Sequence, residues 1–155
     1  MNKLIAKISF LDIAIALAIA IFFTLDRWLK LLALGSAGAT PVIFGDVLSF
    51  HFIANYYMAF SLPLGGWILN AAIILIIVAL AVYAAYLQVE RKEMRTDIIL
   101  TLFIIVGALS NLTDRLRYGY VIDYLDLRYF TIFNLSDILI TLSAGLLIWR
   151  NLRHK

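Results

Sequence analysis

The sequence predicts an all-α integral membrane protein, with four transmembrane helices and a small β-containing platform outside the membrane. Of the 155 residues, 64% are hydrophobic and only 15% are charged, and the mean hydropathy is +0.96. A soluble domain of this length could not bury so much apolar surface. A helix needs ~20 residues to cross ~30 Å of hydrocarbon. Apolar segments near that length occupy roughly residues 8–34, 68–87, 98–115 and 132–149, which we assign to a single membrane domain.

Composition also limits the chemistry of the chain. It contains no cysteine, which excludes disulfides, thiol catalysis and cysteine metal sites. Its two histidines have no paired spacing, so we expect no metal and no cofactor. The net charge of +3 does not indicate nucleic-acid binding, because the placement of basic residues matters more in a membrane protein than their sum.

The first apolar segment has charged residues near both ends. Asp12 lies near one interface, and Asp26, Arg27 and Lys30 lie near the other. Asp26 and Lys30 are four residues apart, so they share a helix face with the acid N-terminal to the base. The pair is either an interfacial ion pair with snorkelling side chains or a support for a polar site. The residues alone favour the first interpretation.

The segment between the first two spans predicts the platform, roughly residues 42–60. Residues 35–45 are rich in small residues and contain Pro41, which indicates a loop. Residues 47–54 then alternate between apolar and more polar positions, a period of two that predicts a short strand on the membrane surface. His51 lies on its more polar face, where we expect a solvated or hydrogen-bonded side chain rather than a metal ligand.

The basic residues predict the topology. The two termini and the charged turn at 88–97 carry Lys3, Lys7, Arg91, Lys92, Arg95, Arg150, Arg153 and Lys155. The positive-inside rule therefore places both termini in the cytoplasm. Six of the ten acids then gather at the outer end: Asp26, Asp46, Asp114, Asp123, Asp126 and Asp137.

The stretch from Gly107 to Asp137 is the candidate functional region, because polar groups near hydrocarbon depth are costly to keep there. Asn134 and Asp137 are three residues apart and share a helix face. Asn111 and Arg115, four apart at the outer end of the third span, do the same. Asp123 follows a turn signal at Gly119, on a segment that leads back towards the fourth span, so it can meet Asp137 near the outer surface.

Two carboxylates held close together share one proton, so one can act as a base toward water while the other donates to a carbonyl oxygen. Such a pair hydrolyses a peptide bond without a nucleophilic side chain, metal or cofactor. Asp137 is one candidate, because it precedes an uncharged span. The residues alone leave the second acid open among Asp114, Asp123 and Asp126. Asp114 with Arg115 also fits a local ion pair or cap, and Asp126 with Arg128 a solvated loop pair.

Four blocks of this sequence resemble the lipoprotein signal peptidases (signal peptidase II), a family of four-helix aspartic peptidases of the bacterial inner membrane. The resemblance spans nearly the whole chain and rests on the order and spacing of the blocks. They are Asp26-x-x-x-Lys30, Asn55-x-x-x-Ala59-Phe60-Ser61, Gly107-Ala108-x-x-Asn111-x-x-Asp114-Arg115 with Gly119-x-Val121-x-Asp123, and Phe133-Asn134-x-x-Asp137.

The resemblance implies that Asp123 and Asp137 are the catalytic pair. They would cut a prolipoprotein just before its diacylglyceryl-modified cysteine, at the outer face of the inner membrane. The platform at 42–60 would be periplasmic and would cradle this lipid-modified substrate. The implied partners are the substrate and membrane lipid, without nucleic acid, and the chain would act as a monomer. The implied substrate-binding and supporting residues are Asn55, Asn111, Arg115, Asn134, Asp26 and Lys30.

Three positions depart from the family pattern. Tyr57 and Ser110 stand where the family usually has glycine, and Ser136 stands where it often has alanine. Tyr57 is the largest change, because its bulk lies where the backbone would otherwise approach closely. We expect it to narrow the substrate groove and so to alter substrate range rather than activity.

Two other functions are compatible with the residues. A small ion- or proton-coupled transporter would use Asp137, Asp123 and Arg115 as an ion relay, but it would need acids spread through the membrane depth. A non-catalytic scaffold or lipid-binding remnant would explain the departures at Tyr57 and Ser110.

Overall fold

The computed structural model describes residues 9–35, 42–44, 47–57, 66–90 and 94–153. In chain order, the described elements are α1 (Phe10–Gly35), β1 (Val42–Phe44), β2 (Leu48–Asn55), α2 (Gly66–Glu90), α3 (Arg95–Tyr118), β3 (Val121–Leu127), β4 (Ile132–Phe133) and α4 (Leu135–Arg153). The protein is therefore mostly helical with one small sheet, as the sequence predicts.

Three of the described helices are long and apolar enough to cross a membrane: Gly66–Val89, Arg95–Tyr118 and Leu135–Arg153. They belong to α2, α3 and α4. The first helix is also long, at 26 residues, but Asp26, Arg27 and Lys30 in its second half lower its apolar character. Exposed apolar side chains such as Leu17 and Ile21 nevertheless line its surface.

The central helix of the bundle is α3, which packs against each of the other three helices. It lies close to α4 at Gly107. A Cβ atom at this position would lie 2.8 Å from Cγ1 of Ile140 and 2.9 Å from the carbonyl oxygen of Ser136. Small residues allow helix backbones in membranes to approach closely. Gly107 thus lets α3 meet the first turn of α4.

The four strands form one antiparallel sheet in the order β1-β2-β3-β4. The register of β2 on β3 runs from Leu48 opposite Leu127 to Asn55 opposite Val121, with an irregularity between Phe50 and Ile53. Half of the strands among the described residues therefore come from the segment between α3 and α4, where the sequence analysis predicted none. The first four residues of β3 are all buried, so both of its faces are covered and the period-two signal is missing. The helix α4 begins at Leu135, because residues 132–133 pair with β3 as β4.

The sheet packs on the second half of α1. Ala33 of α1 forms a buried cluster with Ile122 and Tyr124 of β3, and Phe50 of β2 packs against it. The rings of Phe50 and Tyr124 have centroids 5.3 Å apart. This cluster fixes the sheet at the end of the bundle where α1 and α3 end and α4 begins.

The turn that follows α3 directs the chain into β3. Gly119 adopts a left-handed conformation with φ of 84°, and its backbone N–H donates to the carbonyl oxygen of Arg115 at 3.0 Å. This is a helix C-cap that favours glycine. Because β3 starts two residues later, Asp123 is brought back beside the start of α4.

Candidate active site

Asp123 is held at the end of the bundle by two asparagine side chains. Its side chain lies on β3, and the residue is only 2% exposed. Nδ2 of Asn55 donates to its Oδ2 at 2.9 Å, and Nδ2 of Asn134 donates to its Oδ1 at 2.6 Å. Asn55 is the last residue of β2, the strand that pairs with β3, and lies two positions beyond Ile53, the residue opposite Asp123. Each carboxylate oxygen of Asp123 thus has a donor from a different element.

Asp137 lies in the first turn of α4 and forms a reciprocal cap with Asn134. The Asn134 backbone N–H donates to Oδ2 of Asp137 at 3.1 Å, and the Asp137 backbone N–H donates to Oδ1 of Asn134 at 3.0 Å. This arrangement satisfies free N–H groups at the helix start. Nδ2 of Asn111, on α3, donates to the other carboxylate oxygen at 2.8 Å.

Asn134 therefore contacts both candidate carboxylates. Its Nδ2 also donates to Oδ1 of Asn111 at 3.2 Å. The structure thus brings together Asp123, Asp137 and three of the asparagines that the sequence analysis selected: Asn55, Asn111 and Asn134. Their elements are separated by up to 82 positions in the chain, from Asn55 to Asp137, and meet only through the tertiary fold.

The environment raises the pKa of Asp123 to about 6 from an ordinary value of 3.8. The main cause is burial, and the second is the negative charge of Asp137. The hydrogen bonds from Asn55 and Asn134 and the positive charge of Lys30 act in the opposite direction, because they favour the ionised form. A carboxyl with this pKa exchanges its proton near neutral pH, as proton transfer in catalysis requires.

Beneath the two aspartates lies a buried charge network. Asp26, Lys30 and Asp114 are all 0% exposed. Nζ of Lys30 lies 3.2 Å from Oδ2 of Asp26 and 2.7 Å from Oδ2 of Asp114. It also donates to Oδ1 of Asn111 at 2.8 Å. The network thus reaches the candidate site through Asn111.

This geometry corrects two interpretations from the sequence. Asp26 and Lys30 are fully buried, so they are not an interfacial pair with snorkelling side chains. Asp114 binds Lys30 and Arg27 on α1, whereas the sequence suggested a local pair with Arg115. Spacing along one helix could not reveal these partners, because they belong to a different helix.

Arg115 is placed against the segment that follows β2. Its Nη2 donates to the backbone carbonyl oxygen of Tyr57 at 2.7 Å. The Tyr57 backbone N–H donates in turn to Oδ1 of Asn55 at 3.1 Å, so Arg115 supports the residue that binds Asp123. The Tyr57 residue is 50% exposed. Residues Ala59, Phe60 and Ser61, the rest of this motif block, lie outside the described part of the chain.

Asp126 has different surroundings from Asp123, although both lie on β3. Its Oδ2 is 3.6 Å from Nε2 of His51 across the sheet, and its side chain is 31% exposed. Nδ1 of His51 lies 3.2 Å from Oγ of Ser49. His51 is thus hydrogen-bonded, as expected.

Among the residues described, no group of three or more histidine, aspartate or glutamate residues could hold a metal ion.

The sequence analysis did not select Tyr124, and it noted Ser110 and Ser136 only as departures. All three are buried, and their hydroxyl groups contact Asp26. A signal was present, because each stands directly beside a selected residue: Asn111, Asp123 or Asp137.

Comparison with known proteins identifies the family of this site. A family model described as Signal peptidase (SPase) II matches residues 18–153. The chain belongs to the signal peptidase II family. This is an aspartic peptidase family, so the family assignment favours a peptidase over the transporter that the residues alone left open.

The curated relatives of this signal peptidase II member are similar over most of their length. It is 35% identical over 136 residues to a lipoprotein signal peptidase of Halothermothrix orenii, covering 85% of this chain and 90% of the relative. It is 36% identical over 146 residues to one of Sinorhizobium fredii, covering 86% and 83%. A third relative, from Moorella thermoacetica, is 38% identical over 112 residues, covering 71% of each chain.

Two solved structures share the fold. Both are bacterial membrane enzymes determined by the in meso method, at 2.3 and 1.9 Å resolution. Their TM-scores are 0.77 and 0.74, each at 20% sequence identity. The first alignment covers 90% of this chain and 88% of the solved chain, and the second covers 92% and 94%. At this identity they show that the fold is shared.

Proposed function

We propose that this protein removes the signal peptide from lipid-modified bacterial prolipoproteins, cutting before the diacylglyceryl-modified cysteine, with Asp123 and Asp137 as the catalytic pair. The observation that carries the assignment of the pair is the double contact of Asn134, which binds a carboxylate oxygen of each aspartate. The relatives named lipoprotein signal peptidase support the substrate class.

The proposed chemistry uses the single proton that the pair shares near neutral pH. The ionised carboxylate removes a proton from water, whose oxygen bonds to the scissile carbonyl carbon. The protonated carboxyl gives its proton to the carbonyl oxygen. When the tetrahedral intermediate collapses, the C–N bond breaks and the leaving amine takes the proton that came from water. The carbonyl is restored as the other proton returns, so the pair regains its starting state.

The location of the pair suits a substrate anchored by lipid. Asp137 lies at the start of α4, and Asp123 is turned back beside it from the end of α3. Both groups thus lie at one end of helices that are long enough to span a membrane. A diacylglyceryl group holds its cysteine at the membrane interface, because the acyl chains stay in the hydrocarbon. The bond before that cysteine is then presented at the depth of the two carboxyl groups.

We further propose that α1 is a fourth span of a single membrane domain and that the chain acts as a monomer. Its buried charges are paired within the protein, since Lys30 contacts Asp26 and Asp114. Charged groups at membrane depth are tolerated when they pair in this way. Both termini would lie in the cytoplasm and the sheet on the periplasmic side of the inner membrane, as the basic residues favour.

Topology can be tested directly, because the chain has no cysteine of its own. Tyr129 lies beyond β3 and is 85% exposed, and Asn151 is exposed near the end of α4. In intact spheroplasts, a membrane-impermeant maleimide should label Tyr129→Cys and should label Asn151→Cys only after lysis. Labelling of both variants before lysis, or the reverse pattern, would refute the proposed orientation.

The catalytic assignment is tested by Asp123→Asn and Asp137→Asn. Each variant should insert normally but cleave a purified lipidated prolipoprotein at least ~100-fold more slowly, because an amide cannot exchange the catalytic proton. Asp126→Asn is the matched control, since it makes the same change on the same strand at the residue beside His51. It should cleave like wild type in a gel-shift assay. Substantial processing by Asp123→Asn or Asp137→Asn would refute the assignment of these two residues as the catalytic pair.

A further inference from the structure

The carboxylate of Asp26 accepts hydrogen bonds from three hydroxyl groups on three other elements. Its Oδ2 accepts from Oγ of Ser110 on α3 at 2.5 Å and from Oγ of Ser136 on α4 at 2.8 Å. Its Oδ1 accepts from the Tyr124 hydroxyl on β3 at 3.2 Å. Asp26, Tyr124 and Ser136 are 0% exposed, and Ser110 is 1% exposed. This cluster, the Asp26 hub, joins α1 to every element that carries a site residue except β2.

Each hydroxyl residue of the hub is the direct neighbour of a site residue. Ser110 precedes Asn111, which binds Asp137. Tyr124 follows Asp123. Ser136 lies between Asn134 and Asp137 in the first turn of α4. A displacement of any of these hydroxyl residues must therefore move the backbone of the adjacent site residue.

We propose that Ser110, Tyr124 and Ser136 are positioning residues that act through Asp26 to set the separation of the Asp123 and Asp137 carboxyl groups. The inference rests on the function proposed above. Hydrogen bonds from a hydroxyl to a carboxylate are strong because the acceptor is charged, and the two from the serines are also short, at 2.5 and 2.8 Å. In a buried site they are not weakened by competition with water. Three such bonds to one carboxylate hold three segments against a common point.

Tyr124 makes the most direct link between the two halves of the pair. Its hydroxyl donates to Asp26 and accepts a hydrogen bond from the backbone N–H of Leu135 at 3.0 Å. That N–H belongs to the first residue of α4 and has no partner within the helix. The residue after Asp123 is thereby tied to the residue two positions before Asp137.

The two serines of the hub are departures from the pattern of the family that the chain resembles. They stand where the related family usually has glycine and alanine, which cannot donate a side-chain hydrogen bond. Without them Asp26 would keep Lys30 and Tyr124 as partners, but no side-chain bond would join it to α3 or α4. The serines thus add the hydrogen bonds that hold α3 and α4 against Asp26.

The expected signature is a change in turnover and in pH profile rather than in substrate binding, because no hub hydroxyl lies on an exposed surface. A wider separation of the two carboxyl groups weakens the repulsion by which Asp137 raises the pKa of Asp123. The two apparent pKa values of the pair then move closer together, and the bell-shaped profile of kcat against pH narrows. A general loss of folded protein would lower the amplitude but leave the width unchanged.

The test compares wild type with Tyr124→Phe, Ser136→Ala and the triple variant Ser110→Ala/Tyr124→Phe/Ser136→Ala, using a purified lipidated prolipoprotein. We expect kcat of the triple variant to fall ~10-fold or more, since small misplacements of reacting groups are costly. KM should stay within about twofold, as expected when ground-state binding is unchanged. The bell-shaped profile of kcat against pH should become narrower.

The control is Ser143→Ala, which deletes a hydroxyl at another buried position of α4. This variant should match wild type in kcat, KM and the width of the pH profile. If the triple variant does not insert, the two single variants carry the same comparison with smaller shifts.

The outcomes separate this inference from the proposed function. If the Asp137→Asn variant processes the substrate as fast as wild type, the proposed function is wrong, and the positioning role is wrong with it. Processing that Asp137→Asn abolishes, while every hub variant keeps the wild-type kcat and profile width, would overturn the positioning role alone. A rise in KM at unchanged kcat would also overturn it, because the hydroxyl groups would then act on binding.

Discussion

The side-chain amide of Asn134 donates a hydrogen bond of 2.6 Å to Oδ1 of Asp123. The oxygen of the same amide caps α4 by accepting from the backbone N–H of Asp137. One side chain thus performs two separable tasks, since its nitrogen orients one carboxylate and its oxygen stabilises the helix that carries the other.

Substitutions at Asn134 should separate these two tasks. Serine is an effective N-cap but is too short to cap α4 and reach Asp123 together, so Asn134→Ser should keep thermal stability near wild type while kcat falls. Asn134→Ala should lose both functions, with the loss of the cap costing about 1 kcal/mol. Thermal unfolding in detergent and turnover of a lipidated substrate would measure the two effects. Wild-type turnover by Asn134→Ser would contradict this division of roles.

The pKa of Asp123 predicts a specific pH effect at Asn55. The hydrogen bond from Asn55 favours the ionised carboxylate and so lowers the pKa of Asp123, which the environment sets at about 6. In Asn55→Ala this pKa should rise, and the limb of the pH–rate profile that Asp123 controls should move to higher pH. Asn151→Ala, at the far end of α4, is the control and should leave the profile in place. A shift of that limb to lower pH in Asn55→Ala would show that the donor has the opposite effect.

Gly107 should be intolerant of even one added methyl group. The methyl of Gly107→Ala would lie 2.9 Å from the Ser136 carbonyl oxygen, which is backbone and cannot turn away. We expect α3 and α4 to move apart, which stretches the bond from Asn111 to Asp137, and turnover to fall about 100-fold. Gly145→Ala is the matched control on α4, because nothing lies within 4 Å of its added Cβ atom. Equal turnover by the two variants would refute the close-contact argument.

Lys30 should contribute strongly to stability. In Lys30→Met, the buried carboxylates of Asp26 and Asp114 lose a shared cation, and breaking a buried pair typically costs about 3–5 kcal/mol. Arg95→Met provides the comparison, because Arg95 pairs with Asp12 at a largely exposed position. Exposed pairs contribute little, because water and salt screen the two charges. Unfolding in a mixed-micelle titration should rank the two variants in this order, and a similar small loss for both would contradict the role given to the buried network.

Local patterns were sufficient for the class of protein and for part of the site. Apolar runs of membrane-spanning length predicted the helical membrane fold, because every residue of a span must tolerate lipid or another helix. The spacing of Asn134 and Asp137 placed both on one helix face, and the structure shows them capping the same turn. The strand β3 was not predicted, because burial of both faces removes the alternation of apolar and polar residues on which strand predictions depend.

Which of Asp114, Asp123 and Asp126 lies beside Asn134 could be read only from the tertiary structure, apart from what family resemblance supplied. Asp114 is paired with Lys30 and Arg27 of α1, Asp126 lies beside His51, and Asp123 alone of the three hydrogen-bonds to Asn134 among the described residues. The sequence by itself determined that polar side chains gather at one end of the spans, since spacing within one element depends on local geometry. Only the packing of α1, β3 and α4 decided which of those side chains meet, because their contacts join positions far apart in the chain.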